Sequence, residues 1–192
     1  MKPTRILVIA LVGLLVGALT GIGIKMLRQA ERPAEPAEAP VLEQMPEFAY
    51  PDLEGHLRHG NEWKTNILVL NFWAAWCPPC REETPLFVDL QEQYARDNVR
   101  FVGIAIDDRE PVADFVDTYG VEYPVLLGDL EAIALSRRLG NRFDGLPFTV
   151  VVEPGGRILA RFAGGVSREQ IEPVLQQAIE NNRRSYASPE RI

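Results

Sequence analysis

Cysteine and histidine are almost missing: the chain of 192 residues has two of each. Two cysteines three positions apart exclude a disulfide-stapled secreted scaffold, which needs more of them at wider spacing. A bridge between such neighbours closes almost no loop and stabilises little through chain entropy, so its value is chemical. His56 and His59 are too few to complete a structural zinc site around Cys77 and Cys80, and no metal or cofactor is expected. Cationic charge is also scarce. The formal net charge is -7, although residues 1–32 carry Lys2, Arg5, Lys25, Arg28 and Arg32 against one acid, Glu31. The remainder is therefore more acidic than the whole. It offers no basic patch to displace phosphate counterions, which argues against a nucleic-acid partner. No internal repeat is visible.

One long hydrophobic run is present. Ile6 to Ile24 reads ILVIALVGLLVGALTGIGI without a charge. As a helix it spans roughly 28 Å, close to the thickness of a bilayer's hydrocarbon. A cleaved signal peptide has a shorter apolar stretch and a small-x-small site, which Ala18-Leu19-Thr20 matches poorly. Residues 1–27 are thus expected to be an uncleaved anchor. The flanking Lys and Arg do not fix its orientation. Gly13, Gly17 and Gly21 have the spacing of a helix-packing face, or simply of a glycine-containing span. The stretch ERPAEPAEAP lies in residues 28–45, which read as a stiff linker that buries nothing.

The rest reads as a globular α/β domain over 46–180, followed by a polar, flexible tail over 181–192. Phe48 to Trp63 holds short strands around a turn at Asp52-Leu53-Glu54-Gly55. Ile67 to Trp73 and Val99 to Ile106 are apolar runs expected of strands buried on both faces. Apolar residues at helical spacing run from Glu82 to Tyr94, with Pro85 expected to kink that helix. Pro111 to Tyr119 reads as a helix, Tyr123 to Leu127 as a strand and Leu130 to Leu139 as a helix. Phe148 to Val152 and Arg157 to Phe162 flank the hairpin signal Glu153-Pro154-Gly155-Gly156. Ser167-Arg168-Glu169-Gln170 is a capping-box sequence opening a last helix through Ile179. Strands alternating with helices give helices layered on a mixed sheet.

The chemistry is carried by Trp76-Cys77-Pro78-Pro79-Cys80, set between a strand and a helix. A thiolate, not a thiol, attacks a disulfide, and an ordinary cysteine is mostly protonated at neutral pH. At a helix N-terminus Cys77 meets free N–H groups and a macrodipole that favour its anion. Pro78 and Pro79 lack donors, which is harmless in a first turn. Cys80, one turn further in and more buried, is placed to resolve the mixed disulfide. The competing reading of the pair, half a metal site, does not explain the strand before and the helix after it.

The segment NFWAAWCPPCREETP, the run GLPFTVVVEPGGRI and the longer stretch from Asp107 to Leu139 resemble the TlpA/ResA-like family. These are membrane-tethered thiol-disulfide oxidoreductases of thioredoxin fold with an N-terminal β extension and a central helix-strand insertion. The resemblance covers roughly Met45 to Ile179. It implies that Pro147 is a cis-proline lying against Cys77, and that Trp76, Leu146 and Pro147 meet the substrate, main chain pairing with main chain. The alternative for Pro147 is a trans proline opening an edge strand. Asn71 stands where ordinary thioredoxins have a buried acid. Glu83, three residues past Cys80, holds the position of the active-site glutamate of ResA-like proteins. A partly buried Glu83 could relay protons to Cys80; a solvated glutamate in the first turn is the competing reading.

The family's function would make the chain a reductase of protein disulfides, such as those of apocytochrome c or related periplasmic targets. Its electrons would come from a membrane dithiol donor. Localisation would be the bacterial inner membrane, single-pass, with the soluble domain facing the periplasm. Two other functions use the same cysteines. A thiol peroxidase needs Thr or Ser three residues before its cysteine, where this chain has Ala74. A copper-binding module or metallochaperone usually adds a His or Met ligand. The direction of electron flow is not written in the residues.

Overall fold

The computed structural model describes residues 41–187; the expected anchor over 1–27, most of the expected linker and the last five residues lie outside them. Strand β3 (Ile67–Trp73) is buried at every position and forms the centre of a five-stranded sheet. Its neighbours are β4 (Val99–Ile106), parallel, and β6 (Phe148–Val152), antiparallel. Outside these lie β5 (Val125–Gly128), parallel to β4, and β7 (Ile158–Ala163), antiparallel to β6. β1 (Ala49–Pro51) and β2 (Leu57–His59) form a separate hairpin. Its turn is closed by Asp52 Oδ1, which accepts from the backbone N–H of Glu54 and His56 at 3.1 and 2.8 Å.

Both faces of the sheet are covered. Helix α1 (Pro78–Tyr94), α2 (Arg109–Tyr119) and α4 (Arg168–Ala187) contribute Phe87, Leu90, Phe115, Ile171 and Leu175 to the core that contains Ile67, Val69 and Trp73. α3 (Leu130–Arg138) and the β1–β2 hairpin contribute Leu135, Phe48 and Tyr50 to the core around Leu68, Leu70 and Phe72. The alternation of side chains along β3 sorts them between these cores.

Three of the sequence-derived strands have the bounds read from the apolar runs: β3, β4 and β6. Other boundaries move for identifiable reasons. α1 starts at Pro78, four residues before the apolar periodicity, because prolines suit the first two helical positions. Pro85 lies inside this helix, where Thr84 Oγ1 donates to the Cys80 carbonyl at 2.7 Å. α2 starts at Arg109, with Asp108 at the N-cap position, so Pro111 is its third residue. β5 begins after Pro124, which has no N–H for the ladder. The expected hairpin turn is formed, with Gly155 and Gly156 at φ 92° and 98°, a region only glycine occupies without strain. The Ser167 N–H donates to Gln170 Oε1 at 2.8 Å, the backbone half of the expected capping box.

Two segment assignments are corrected. Residues 42–45 belong to the folded unit rather than the linker: Leu42 and Met45 N–H donate to the carbonyls of Arg138 and Gly156, and Glu43 accepts from Ile158. The expected flexible tail is helical as far as Ala187. There, ion pairs Arg183–Asp97 (2.6 Å) and Arg184–Glu180 (2.9 Å) support a helix whose apolar periodicity has ended.

Candidate active site

β3 delivers the chain directly into the site. After Trp73 a short turn, in which Cys77 N–H donates to the Ala74 carbonyl at 3.1 Å, places Cys77 as the N-cap of α1. Asp107, the residue after β4, accepts from Ala75 N–H at 3.0 Å, and Arg81 Nε donates to the Ala75 carbonyl at 2.7 Å. The turn is thereby tied to both the sheet and the helix. Cys77 and Cys80 are joined as a disulfide. Since they are the only cysteines, dithiol chemistry in this chain rests on them.

Their exposure differs less than the sequence implies. Cys77 is 3% exposed and Cys80 1%, whereas Trp76 beside them is 64% exposed. The Leu146–Pro147 peptide is cis, as the resemblance implied. Pro147 opens β6, and its carbonyl accepts from Gly164 N–H at 2.9 Å. Leu146 is half-buried against both cores. His56 and His59 lie in the β1–β2 hairpin, not on the elements that carry the dithiol.

Glu83 is not a solvated glutamate. It is 4% exposed, and both carboxyl oxygens accept hydrogen bonds: Oε1 from Asn71 Nδ2 at 2.9 Å, Oε2 from Val166 N–H at 3.1 Å. Burial pushes its pKa from 4.5 up to about 7, and the two N–H donors pull against that shift. Tyr123 is buried nearby, its phenol pushed well above the ordinary tyrosine range by burial and then by the Glu83 charge. Glu83 follows Cys80 by three positions, which puts them on one face of α1. A carboxyl that titrates near neutrality can take or give a proton at working pH, which an ordinary glutamate does poorly.

Sequence reasoning missed two partners in this network. Thr149 Oγ1 accepts from Asn71 Nδ2 at 2.9 Å and is fully buried; only the β3–β6 register, pairing Asn71 with Thr149, brings it there. Val166 contributes a backbone N–H, for which no residue type gives a signal. The loop carrying it also reaches α1, since a Cβ on Gly165 would lie 3.7 Å from Pro79 Cβ.

Comparison with known proteins agrees with this architecture. The family model described as Redoxin matches residues 40–179. The thiol-disulfide oxidoreductase ResA of Bacillus anthracis is 27% identical over 145 residues, covering 75% of this chain and 82% of that protein. A thioredoxin-family thiol:disulfide interchange protein from Chlorobium tepidum superposes with TM-score 0.62 at 27% identity, covering 73% of this chain and 97% of that one. A putative thiol:disulfide interchange protein DsbE from the same organism gives TM-score 0.64 at 22% identity, over 71% and 96% of the two chains, a likeness of fold. With a dithiol at a helix N-terminus on a thioredoxin-like sheet, the chain belongs to the Redoxin family and is a thiol-disulfide oxidoreductase of the TlpA/ResA-like kind.

Proposed function

We propose that this protein is a membrane-tethered reductase of protein disulfides, with Cys77 as attacking sulfur, Cys80 as resolving sulfur and Glu83 as proton carrier. The observation that carries the direction is the buried Glu83 on the Cys80 face of α1. Strong oxidants of this fold owe their high potential to a stabilised thiolate in the reduced form. A carboxylate beside the dithiol does the opposite: it disfavours the thiolate, raises the thiol pKa values and favours giving electrons away. The helix N-terminus still supplies enough thiolate at Cys77 for attack.

In the forward step the Cys77 thiolate attacks one sulfur of a substrate disulfide, and the other leaves as a thiolate that takes a proton. Cys80 loses its proton to Glu83 and attacks the Cys77 sulfur, releasing the second substrate thiolate. That thiolate takes the proton from Glu83, and the first substrate thiolate takes, through solvent, the proton Cys77 released on ionising. Two electrons and two protons thus pass to the substrate in total. Trp76, exposed beside Cys77, and the Leu146–Pro147 edge are the substrate contacts in this reading. Pairing there reads main chain, which fits unfolded polypeptides such as an apocytochrome awaiting haem.

The apolar run from Ile6 to Ile24 and the Pro/Ala/Glu stretch after it support a single-pass inner-membrane anchor, with the domain on the periplasmic side. A tether raises the effective concentration of the domain near a membrane dithiol donor. Equilibrating the full chain, in detergent, with thiol buffers of known potential tests the direction. A potential below that of glutathione is expected; one above it overturns the reductase reading. The tether is tested by carbonate washing of membranes. The full chain should stay in the pellet and a chain lacking residues 1–27 should not; release of the full chain overturns it.

A further inference from the structure

We propose that Asn71, braced by Thr149, is a positioning residue for the dithiol reaction: it clamps one oxygen of the Glu83 carboxyl and holds that group on the Cys80 side of α1. The inference rests on the proton-carrying role given to Glu83 above and adds the residues that hold Glu83 in place.

β3 is apolar except at Asn71, and a polar side chain buried in a central strand is costly unless its hydrogen bonds are made. Here they are made in a particular way. Asn71 Nδ2 has two hydrogens and two acceptors, Thr149 Oγ1 and Glu83 Oε1, each at 2.9 Å. A pair serving only the sheet would end at Thr149. The second bond leaves the sheet and reaches a carboxyl on the helix that carries the dithiol. The neighbouring position on the other side, Gly103 of β4, has no side chain to compete for the amide. Across the sheet the row therefore reads Gly103, Asn71, Thr149, with Glu83 above it. Both bonded groups, Asn71 (5% exposed) and Thr149 (0%), are shielded from water, so the clamp is not in competition with solvent.

The remaining contacts of Glu83 fit this role. Val166 N–H holds the second oxygen, so the carboxylate accepts from two elements, β3 and the loop before α4. Tyr123, just before β5, carries the titratable group close enough to feel the Glu83 charge, and Cys80 is the titratable group on α1 itself. With Asn71 donating, the carboxylate is favoured against burial; without it, the protonated acid gains. Proton transfer from the Cys80 thiol to Glu83, as Cys80 attacks the Cys77 sulfur, needs that carboxylate.

The full chain in detergent can be labelled for carbon-13 NMR of glutamate carboxyls, the Glu83 signal being the one absent in Glu83→Gln. In Asn71→Leu the Glu83 midpoint should rise by roughly one pH unit, the scale of one hydrogen bond to a charged group. Thr149→Val should raise it by less, and Thr149→Ser should keep the wild-type midpoint. The pH–rate profile of disulfide exchange should move with the midpoint, and in a Glu83→Gln background Asn71→Leu should not move it at all. An unmoved Glu83 midpoint in the near-isosteric Thr149→Val and in Asn71→Leu overturns the clamp. So does a shift in pH–rate profile that persists without Glu83. The two layers separate cleanly. If Glu83→Gln alone leaves the profile unchanged, the proton role fails while the NMR midpoints still report on the clamp.

Discussion

The two faces of the central sheet are equally dry and chemically different. On the face toward α3 and the β1–β2 hairpin, β3 and β6 present Leu68, Leu70, Phe72, Phe148, Val150 and Val152, with no polar side chain among them. On the face toward α1, the same two strands interrupt Val69, Trp73 and Val151 with Asn71 and Thr149, and α1 adds Glu83 and the two cysteines. Burial of apolar area stabilises both, at about 25 cal/mol per Å². Only the second carries buried polar side chains on the sheet strands themselves, Asn71 and Thr149, and their burial pulls against folding. The functional face is built on the stability of the other one.

The largest way to break this contrast is Phe72→Ala. Phe72 is completely buried, its ring centroid 6.1 Å from that of Phe148, on the face where β3 and β6 present only apolar side chains. Truncation of such a ring costs about 3–5 kcal/mol, a large share of a domain's usual 5–15. The expected outcome is a strongly lowered denaturant midpoint, with disulfide exchange per folded molecule unchanged. If the exchange rate per folded molecule falls as well, the two faces are coupled and the contrast fails.

The apolar face was the legible one. Runs such as ILVLNFW and VRFVGIAI give β3 and β4 to the residue, because strands buried on both faces leave little choice of residue type. The face toward α1 was legible where spacing sets placement: Cys77, Cys80 and the proposed proton carrier Glu83 follow one another at steps of three positions. It was illegible where partners are joined by tertiary register. Thr149 is one β-branched residue in a strand until pairing sets it opposite Asn71. Val166 acts through its backbone, which every residue shares. The helix bounds of α1 and α4 escaped for a related reason, since prolines at a start and ion pairs at an end leave no apolar period.

A sharper test uses pH. The folded-state pKa of Glu83, about 7, stands above its ordinary value of 4.5. An acid raised on folding binds its proton more tightly in the native state, so its contribution is fully present below pH 4.5 and is lost as pH rises through 7. The loss amounts to about 3 kcal/mol by pH 8. Thermal unfolding of the wild type should therefore weaken between pH 4.5 and pH 8 by that much more than unfolding of Glu83→Gln, which has nothing to titrate there. Equal pH slopes in the two proteins would mean that the functional face carries no such penalty.

The smallest expected effect concerns Trp73, the last residue of β3, which belongs to the same buried core as the two cysteines. It is 4% exposed, its ring centroid lies 4.4 Å from that of Phe115 with the planes tilted by 41°, and its Nε1–H has no acceptor among the described residues. An unpaired buried donor costs about 1–3 kcal/mol, and Trp73→Phe removes it together with part of the apolar ring. The lost burial is of similar size, so the two effects nearly cancel and stability should change by no more than about 1 kcal/mol in either direction. Phe72 is the next residue along the same strand and just as buried, yet its truncation has no polar penalty to relieve. A loss of several kcal/mol in Trp73→Phe, measured by the same denaturant titration, would show that the indole N–H is satisfied in solution and that this face is less strained by polarity than its contacts indicate.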